Sequence, residues 1–385
     1  MIFTRYSLAL AFFVLHTCTA ASLFRAYPKL KNTLPHVELC TLPTPVRALT
    51  DLQSYLAHNN KLASETTLFV KDDNFSTASF AGNKPRKLEF LLADAKAKGC
   101  EDIITTGSAG SNFGCATAIF ANQLKFKSCT CIYSPQINTA YLLRNAFWAT
   151  RAGAQFIICA DRTERKALCD AAAQKAAEPN ATSYFIPGGG SNALGTIGFV
   201  NAAFELKEQI DAGQVPCPDE IFITFGSGGS VTGLLLGLKA TGLPCHVMAT
   251  CVVNDPDKTA YDDIKQLFTK TNILLQKNDP SFPLCNLTPQ DVTIDHDHFY
   301  GAYAQIGEPE ADAIRVLDET ESIKTDGTYA GKTLTTMLDS LPNLANKKVL
   351  FWNTFCSGLQ KTALDDAWLP YFDGTIPLQD FDQGI

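Results

Sequence analysis

The amino-acid sequence predicts an α/β protein with a mainly parallel, twisted sheet, and three observations support this prediction. Short runs rich in β-branched and aromatic residues alternate with amphipathic stretches from about Thr67 onward, as in right-handed βαβ units. Glycines concentrate where strand-like segments lead into helix-like ones. The 385 residues contain neither a repeat nor a low-complexity linker, so two interleaved α/β domains with a cleft between them fit better than two domains in tandem.

The individual elements follow from the local pattern of apolar residues. Strands are predicted over residues 67–71, 102–106, 130–133, 155–159, 184–187, 220–225, 246–252 and 348–352. Amphipathic stretches predict helices over residues 85–98, 140–152, 162–176 and 198–210. In such folds ligands bind beyond the carboxyl ends of the strands. We therefore expect the functional site at the strand-to-helix turns.

Composition narrows the class of protein. Apolar residues make up 46% of the chain and charged residues 18%, a balance that argues against disorder. The net charge is −7 and no basic stripe is present, so nucleic acid is not expected as a partner. The sequence contains neither GxSxG nor HExxH, which leaves hydrolase and zinc-protease interpretations unsupported. A small anionic substrate would have to be met by local positive groups.

The first 21 residues resemble a secretory signal peptide. Arg5 precedes an apolar run over residues 8–15, and small residues follow at positions 18–21. A buried N-terminal helix is the alternative, but so short a run ahead of Pro28 fits it poorly. The prediction is export to a periplasmic, secretory or extracellular location, or a cytoplasmic location if the signal is not functional. No later stretch is long and apolar enough to span a bilayer.

Metal and disulfide chemistry have little support. The chain has 13 cysteines, without CxxC pairs or the spacing of a zinc site. Free core cysteines and, in an exported protein, disulfides both remain open. The run Asp295-His296-Asp297-His298 resembles a metal cluster but is short and lacks a helical ligand pattern. It is interpreted as a solvated strand, and no metal site is expected.

A basic helix start is the first candidate functional motif. Residues 82–89 read GNKPRKLE, and the proline suits the first position of a helix. Lys84, Arg86 and Lys87 then crowd a helix end that is already positive, which does not help the helix. A phosphate and an amine that attacks an aldehyde would explain them, because a lysine crowded by cations loses its proton more easily. A solvated basic helix start is the alternative.

Glycine- and serine-rich turns are candidate anion sites. Residues 105–112 (TTGSAGSN) expose N–H groups at a helix start, although a plain capped turn is the stronger interpretation of that segment alone. Residues 226–230 (GSGGS) follow a strand and predict a phosphate cup with a helix dipole behind it. Their spacing matches neither GxGxxG nor the P-loop, which favours a mononucleotide-sized phosphate such as that of pyridoxal phosphate (PLP). Residues 187–195 form a further turn of this kind.

Together these motifs resemble the D-cysteine desulfhydrase / 1-aminocyclopropane-1-carboxylate (ACC) deaminase family of fold-type II PLP enzymes, over residues 24–363. The segments that carry the resemblance are GNKPRKLE (82–89), GSN (110–112), GGSN (189–192), SGGS (227–230), GAY (301–303) and TYAGK (328–332). The resemblance implies twisted parallel and mixed sheets flanked by helices, with the cofactor in an interdomain cleft. Residues 22–86 and 188–385 would form the large PLP-binding domain, and residues 87–187 the small domain. A homodimer is also implied.

The resemblance further implies the roles of individual residues. Lys84 would hold PLP covalently, and the catalytic residues would be Lys84, Ser111, Tyr303 and Tyr329. The remaining cofactor-binding residues would be Lys87, Asn112, Ser227, Gly228, Gly229 and Ser230. The substrate, a small amino acid, would be bound by Ser111, Asn112, Phe113 and Thr354. The two tyrosines would flank the substrate and assist proton transfer.

Two positions help to choose a reaction within the family. ACC deaminases carry Glu directly after the second tyrosine and Leu in the late strand-loop, where this chain has Ala330 and Thr354. Ring-opening deamination is therefore disfavoured, and Thr354 is the residue typical of the desulfhydrases. Ala330 is typical of neither group, and Phe113 and Phe355 also depart from the family pattern.

The leading hypothesis is a PLP-dependent lyase that acts at the β-carbon of D-cysteine and yields pyruvate, ammonia and sulfide. ACC deamination, or elimination from cysteate or D-serine, would use the same parts. A PLP-binding protein with little catalysis and an exported binding module without PLP are the alternatives from other classes.

Overall fold

The computed structural model describes residues 21–134, 140–301 and 303–356, and it leaves the side chains of residues 140–143 undescribed. Within these ranges the strands are β1 (Val46–Ala48), β2 (Thr67–Asp72), β3 (Asp102–Ser108), β4 (Ser128–Ser134), β5 (Ala154–Ile158), β6 (Ser183–Ile186), β7 (Glu220–Phe225), β8 (His246–Cys251), β9 (Val292–Asp295) and β10 (Lys348–Asn353). The α-helices are α1 (Ser22–Ala26), α2 (Pro28–Thr33), α3 (Thr50–His58), α4 (Lys84–Ala97), α5 (Asn112–Gln123), α6 (Ala140–Arg151), α7 (Arg162–Ala176), α8 (Ala193–Asp211), α9 (Gly229–Thr241), α10 (Ala260–Asn278), α11 (Glu308–Glu321) and α12 (Ala330–Ser340).

These strands form two sheets flanked by helices. The larger sheet has the order β1-β2-β10-β7-β8-β9, and the smaller one the order β5-β4-β3-β6. Only the edge pair β1–β2 is antiparallel among the described pairs. The predicted α/β fold with mainly parallel, mixed sheets is confirmed, and all eight predicted strands form. The prediction missed β1 and β9, which are only three and four residues long.

Helices cover both faces of the larger sheet, so its central strands are buried on both sides. Along β10, Leu350 and Trp352 pack into the core that contains α8 and α9. Val349 and Phe351 point the other way, into the core that contains α12. Such strands, apolar on both faces, are typical of parallel sheets between helices. The loop that follows β10 therefore starts from a strand that is packed on both faces.

Helix α4 connects the cores of the two sheets. Its residue Phe90 packs in the core under the larger sheet, whereas Leu88 and Leu91 pack in the core under the smaller one. The domain boundary predicted between residues 86 and 87 falls inside this helix. The division into domains at that point remains a proposal.

Three sequence predictions concern the chain ends and the cysteines. Residues 1–20 lie outside the described residues, so export remains a prediction. The described helices are all too short or too polar to cross a membrane. The cysteines of the described ranges are all free, and the sulfurs of Cys217 and Cys245 lie 3.9 Å apart.

Candidate active site

A cavity of about 380 Å³ lies where strands of both sheets end. Its lining includes Ser108 and Ser134 from the ends of β3 and β4, and Gly226, Val253 and Thr354, which follow β7, β8 and β10. Ligands of α/β proteins bind at this edge of a parallel sheet. The glycine-rich turns that the sequence singled out meet here.

Lys84 is the first residue of α4 and lines this cavity. Its Nζ lies 5.6 Å from the centre of the Tyr329 ring. The preceding turn requires glycine, because Gly82 has a φ of +84° and a Cβ there would lie 2.7 Å from the carbonyl oxygen of Thr354. Burial lowers the pKa of Lys84 to about 8, an effect that the carboxylate of Asp326 partly offsets. A larger fraction of this amine than of an ordinary lysine is therefore uncharged and nucleophilic near neutral pH, although the protonated form still predominates.

The explanation of this reactivity by crowding cations was wrong in part. Arg86 lies in a buried ion cluster, 2.7 Å from Asp73 and 2.8 Å from Glu205, so its charge is compensated. The lowered pKa of Lys84 comes from burial instead. The crowding of cations affects Lys87 instead: burial, and then the nearby charge of Lys84, lower the pKa of Lys87.

Lys87 and the start of α9 form a cup. Lys87 Nζ donates to the carbonyl oxygen of Gly189 at 3.0 Å and to Ser191 Oγ at 3.4 Å. Ser191 Oγ accepts from the N–H of Gly229 at 3.1 Å and lies 2.8 Å from Ser227 Oγ. A Cβ on Gly229 would lie 2.6 Å from Ser191 Oγ and 2.9 Å from Lys87 Nζ, so a larger residue there would displace both side chains.

The cup has the chemistry of a phosphate site. It combines a lysine, serine hydroxyls and backbone N–H groups at a helix start. The oxygens that Lys87 contacts through these two bonds are neutral, so a phosphate would supply its counter-charge. Asn83, which the sequence analysis did not assign, donates from Nδ2 to Ser230 Oγ at 3.0 Å and ties the start of α4 to that of α9.

Ser111 and Phe113 line the cavity from the smaller sheet. Ser111 is the N-cap of α5, and its Oγ accepts from the N–H of Gly114 at 3.1 Å. The capped turn is therefore present and also faces the cavity. A helix start of this kind is suited to a carboxylate.

Asn112 is not among the residues that line the main cavity. It lines a smaller adjoining cavity together with Lys84. Its Oδ1 accepts from Asn145 Nδ2 at 2.8 Å and from Arg144 Nη2 at 3.2 Å. The group that it can offer a ligand is accordingly its amide NH₂.

Tyr303 and Tyr329 line the main cavity, and their hydroxyls share a hydrogen bond. Burial raises the pKa of Tyr303 and raises that of Tyr329 further above its ordinary value. Both phenols are therefore protonated at neutral pH and can act as hydrogen-bond and proton donors.

Sequence reasoning missed Asp326. This buried carboxylate accepts from the N–H groups of Thr328 and Tyr329 at 2.8 and 2.6 Å, and burial raises its pKa despite these bonds. It lines the smaller cavity with Lys84 and Asn112. An aspartate shortly before a helix start is a capping signal, so the sequence could have indicated it.

Sequence reasoning also missed two arginines. Arg162 and Arg165, in the first turn of α7, line the main cavity. Arg165 Nη1 donates to the carbonyl oxygen of Gly107 at 3.2 Å. Nothing in the local sequence pointed to the cavity, because α7 reads as an ordinary amphipathic helix.

The late positions that the family resemblance singled out, either for the choice of reaction or as departures from the pattern, lie in different places. Thr354 lines the main cavity, and Phe355 lines the smaller one. Ala330 is fully buried in the first turn of α12 and is among the lining residues of neither cavity.

The acidic and histidine cluster outside the cavity is structural. His298 lies 2.8 Å from Asp295 and 3.2 Å from Asp339. Burial opposes protonation, but the two carboxylates outweigh it and raise the pKa of His298 to about 9. Potential ligand atoms of Cys251, Asp255 and His296 lie within 4.8 Å of one another. We assign no metal there.

A buried lysine and a cup of glycine, serine and lysine groups line one cavity between the two sheets, an arrangement suited to enzymes that bind a small phosphorylated cofactor. The sequence profile of the family described as "Pyridoxal-phosphate dependent enzyme" matches residues 37–354. The chain belongs to this family, whose cofactor is PLP.

Relatives with assigned reactions are distant. A D-cysteine desulfhydrase of Salmonella paratyphi B is 27% identical over 80% of this chain and 88% of its own length. A Pyrococcus abyssi protein provisionally named ACC deaminase is 28% identical over the same shares of the two chains. The solved structure of an ACC deaminase homologue matches with a TM-score of 0.72 and 24% identity, over 87% of this chain and 95% of the other. The structural match shows the fold alone.

Proposed function

We propose that this chain is a PLP-dependent lyase that eliminates the β-substituent of a small amino acid. D-cysteine is the leading substrate, with pyruvate, ammonia and sulfide as products. The observation that carries the proposal is the presence of Lys84 and the hydrogen-bonded Tyr303–Tyr329 pair in one cavity. The 27% identical D-cysteine desulfhydrase supports the choice of reaction.

The cofactor would be held at both ends by residues of this chain. Lys84 Nζ would bind its aldehyde carbon, and Lys87 with Ser227, Gly228, Gly229 and Ser230 would bind its phosphate. Ser191 joins this set, because its hydroxyl contacts Lys87 and the N–H of Gly229. Asn112 would reach the cofactor from the smaller cavity. Bound PLP supplies an electron sink for the charge released at the α-carbon of the substrate.

The chain's own groups can then bind the substrate and move two protons. Ser111 and the N-terminus of α5 would receive the α-carboxylate. Lys84 Nζ, with a pKa of about 8, can take the proton from the α-carbon. The bond between Cβ and sulfur breaks with its electron pair on sulfur, and the hydroxyls of Tyr303 and Tyr329 can donate a proton to it. Water then completes the release of pyruvate and ammonia.

ACC deamination is the second candidate, favoured by the Pyrococcus abyssi relative. ACC has no leaving group on its β-carbon, so ring opening depends more strongly on protonation of the cofactor's ring nitrogen. Ala330 offers no polar group for this task, and Thr354 replaces the leucine of the deaminases. Elimination of cysteate or D-serine would use the same residues with another leaving group.

The deciding experiment measures products from the PLP-loaded protein. We expect sulfide from D-cysteine, less from L-cysteine, and negligible 2-oxobutanoate from ACC. ACC turnover equal to that of D-cysteine would overturn the substrate choice. A visible cofactor band without any product from a panel of D- and L-amino acids would indicate a PLP-binding protein with little catalysis. Absence of the band would indicate a binding module without PLP.

Export and dimerisation are proposals with separate tests. Mass spectrometry of the protein from its native host should find a mature N-terminus near Ala21 or Ser22, whereas an intact Met1 on cytosolic protein would contradict export. Light scattering of the purified protein should give the mass of a homodimer.

A further inference from the structure

The charged residues that line the main cavity are all positive. Among the described residues they are Lys84, Lys87, Arg162 and Arg165, without any aspartate or glutamate. The chain as a whole carries a net charge of −7, so the sign of the charge in the cavity is opposite to that of the whole chain. A cleft lined by charges of one sign concentrates ligands of the other.

The proposed function, on which this inference rests, accounts for two of these cations. Lys84 would bind the aldehyde carbon of PLP, and Lys87 would bind its phosphate. The α-carboxylate of an amino acid would be met by Ser111 and the N–H groups at the start of α5. Arg162 and Arg165 remain as positive charges that a neutral amino acid such as serine does not require.

The stability of α7 does not explain the arginines. Two cations in the first turn of a helix are unfavourable, because that end already carries a positive partial charge. The carboxylate of Asp161 caps the helix through the N–H of Glu164 at 2.8 Å. The carboxylate of Glu164 in turn accepts from the N–H of Ala160 at 2.6 Å. The nearby acidic groups therefore serve the backbone.

Arg165 lies toward the substrate end of the cavity, and Arg162 lines the cavity from the same turn of α7. Arg165 is held by the carbonyl oxygen of Gly107 at 3.2 Å. Gly107 lies beside Ser111, since a Cβ on Gly107 would be 2.7 Å from Ser111 Oγ. The adjoining cavity, which shares the turn after β7 with the main one, is lined by two carboxylates, Asp255 and Asp263, and by one cation, Lys270. The positive charges of the main cavity have no carboxylate beside them among its described lining residues, so a negative group on the substrate is drawn toward the arginines of α7.

We propose that Arg162 and Arg165 extend the ligands of this site beyond cysteine to amino acids whose β-substituent carries a second negative charge, such as a sulfonate, a phosphate or a carboxylate, and bind them more tightly than uncharged analogues of the same shape. Planar guanidinium groups bind such oxyanions through paired hydrogen bonds. With a sulfonate or phosphate, the bond to Cβ breaks with its electron pair on the leaving group, in the same elimination as proposed for cysteine.

The test compares aspartate with asparagine, which have the same shape but differ in side-chain charge. Neither carries a good leaving group, so binding is measured without elimination. Dissociation constants come from calorimetry and from the absorbance change of the PLP-loaded protein, with both enantiomers. We expect aspartate to bind about tenfold more tightly than asparagine. Arg162→Gln and Arg165→Gln should remove most of this difference, whereas Lys166→Gln, an exposed cation on the same helix, should leave it unchanged.

Two results would overturn the inference. One is binding of aspartate no tighter than that of asparagine. The other is an equal loss of affinity for both ligands in the arginine variants, which would mean that the arginines bind the α-carboxylate. Because Arg165 also bonds the Gly107 turn, substituting Arg165 could disturb the local structure. Arg162 is exposed, so Arg162→Gln tests the charge without removing a bond to that turn.

Failure of the proposed function is distinguishable from these results. In that case no β-substituted amino acid would yield product, while the preference for aspartate and its dependence on Arg162 would persist. Sulfide release from D-cysteine without any preference for acidic ligands would contradict the inference and leave the lyase proposal standing.

Discussion

The hydroxyl of Tyr303 is hydrogen-bonded to the hydroxyl of Tyr329, although 26 residues separate them in the sequence. Tyr329 precedes α12 and is held by a bond from its N–H to Asp326. Tyr303 comes from the loop after β9. One phenol therefore positions the other beside Lys84, whose amine lies over the Tyr329 ring.

Tyr303→Phe is expected to slow elimination about a hundredfold, because it removes one proton donor and releases the other. Binding of PLP, followed by its visible absorbance, should remain unchanged. Tyr300→Phe is the matched control, since Tyr300 is not among the cavity-lining residues. Equal slowing in both variants, or loss of PLP from Tyr303→Phe, would contradict a role in proton transfer.

Lys87→Ala is expected to raise the dissociation constant of PLP about tenfold or more, because a charge-assisted bond to the phosphate is lost. Reactivity of Lys84 toward the aldehyde should persist at saturating PLP. Titration of the apoprotein monitored by absorbance measures both effects. Lys96→Ala, an exposed lysine of the same helix, serves as the control. Unchanged PLP affinity in Lys87→Ala would remove Lys87 from the phosphate site.

Cofactor loading should depend on pH through Lys84. The charged amine cannot attack an aldehyde, and burial lowers the pKa of Lys84 from the ordinary lysine value of 10.5 to about 8. The rate of PLP attachment should therefore rise between pH 6 and pH 8 and level off above pH 9, as the neutral fraction approaches one. Stopped-flow absorbance of the apoprotein mixed with PLP measures this rate. A rate that keeps rising beyond pH 10 would show an ordinary, solvated lysine.

The buried ion cluster behind α4 should be important for stability. Burial disfavours the charge on Glu205, but Arg86 and Lys71 outweigh it and hold the pKa of this carboxyl well below its usual range. Glu205→Ala should lower the free energy of unfolding by about 3–5 kcal/mol, because two buried cations lose a partner. Glu208 lies on the same helix as Glu205 and forms an exposed ion pair with Arg25 of α1. Glu208→Ala should therefore lower the free energy of unfolding by less than about 1 kcal/mol. Denaturant unfolding of both variants tests the difference, and similar losses would contradict it.

The fold could be predicted because its determinants are local. Each of the eight predicted strands contains several β-branched, aromatic or other apolar residues, and Pro85 marked the start of α4 one residue from its observed beginning at Lys84. The strands β1 and β9 were not predicted, because their short segments, VRA and VTID, mix apolar with charged residues and contain no aromatic residue. Their pairing is decided by neighbouring strands.

The candidate site could be predicted only in part, because only some of its residues stand in local sequence motifs. Lys84 and the turn at residues 226–230 stand in recognisable local motifs. The partners of Arg86 are Asp73 and Glu205, which lie 13 and 119 residues away in the sequence. Arg162 reaches the cavity only because α7 packs against β4 and β6 of the smaller sheet. Contacts of this kind arise from topology, which local patterns do not encode.

The most direct test of the central claim is to identify the amine that binds PLP. The PLP-loaded protein is reduced with borohydride and digested, and the peptides are sequenced by mass spectrometry. The proposed site predicts a phosphopyridoxyl group on Lys84, and loss of this label together with the visible cofactor band in Lys84→Ala. Labelling of Lys87 or another lysine, or a reducible PLP adduct that persists in Lys84→Ala, would contradict it.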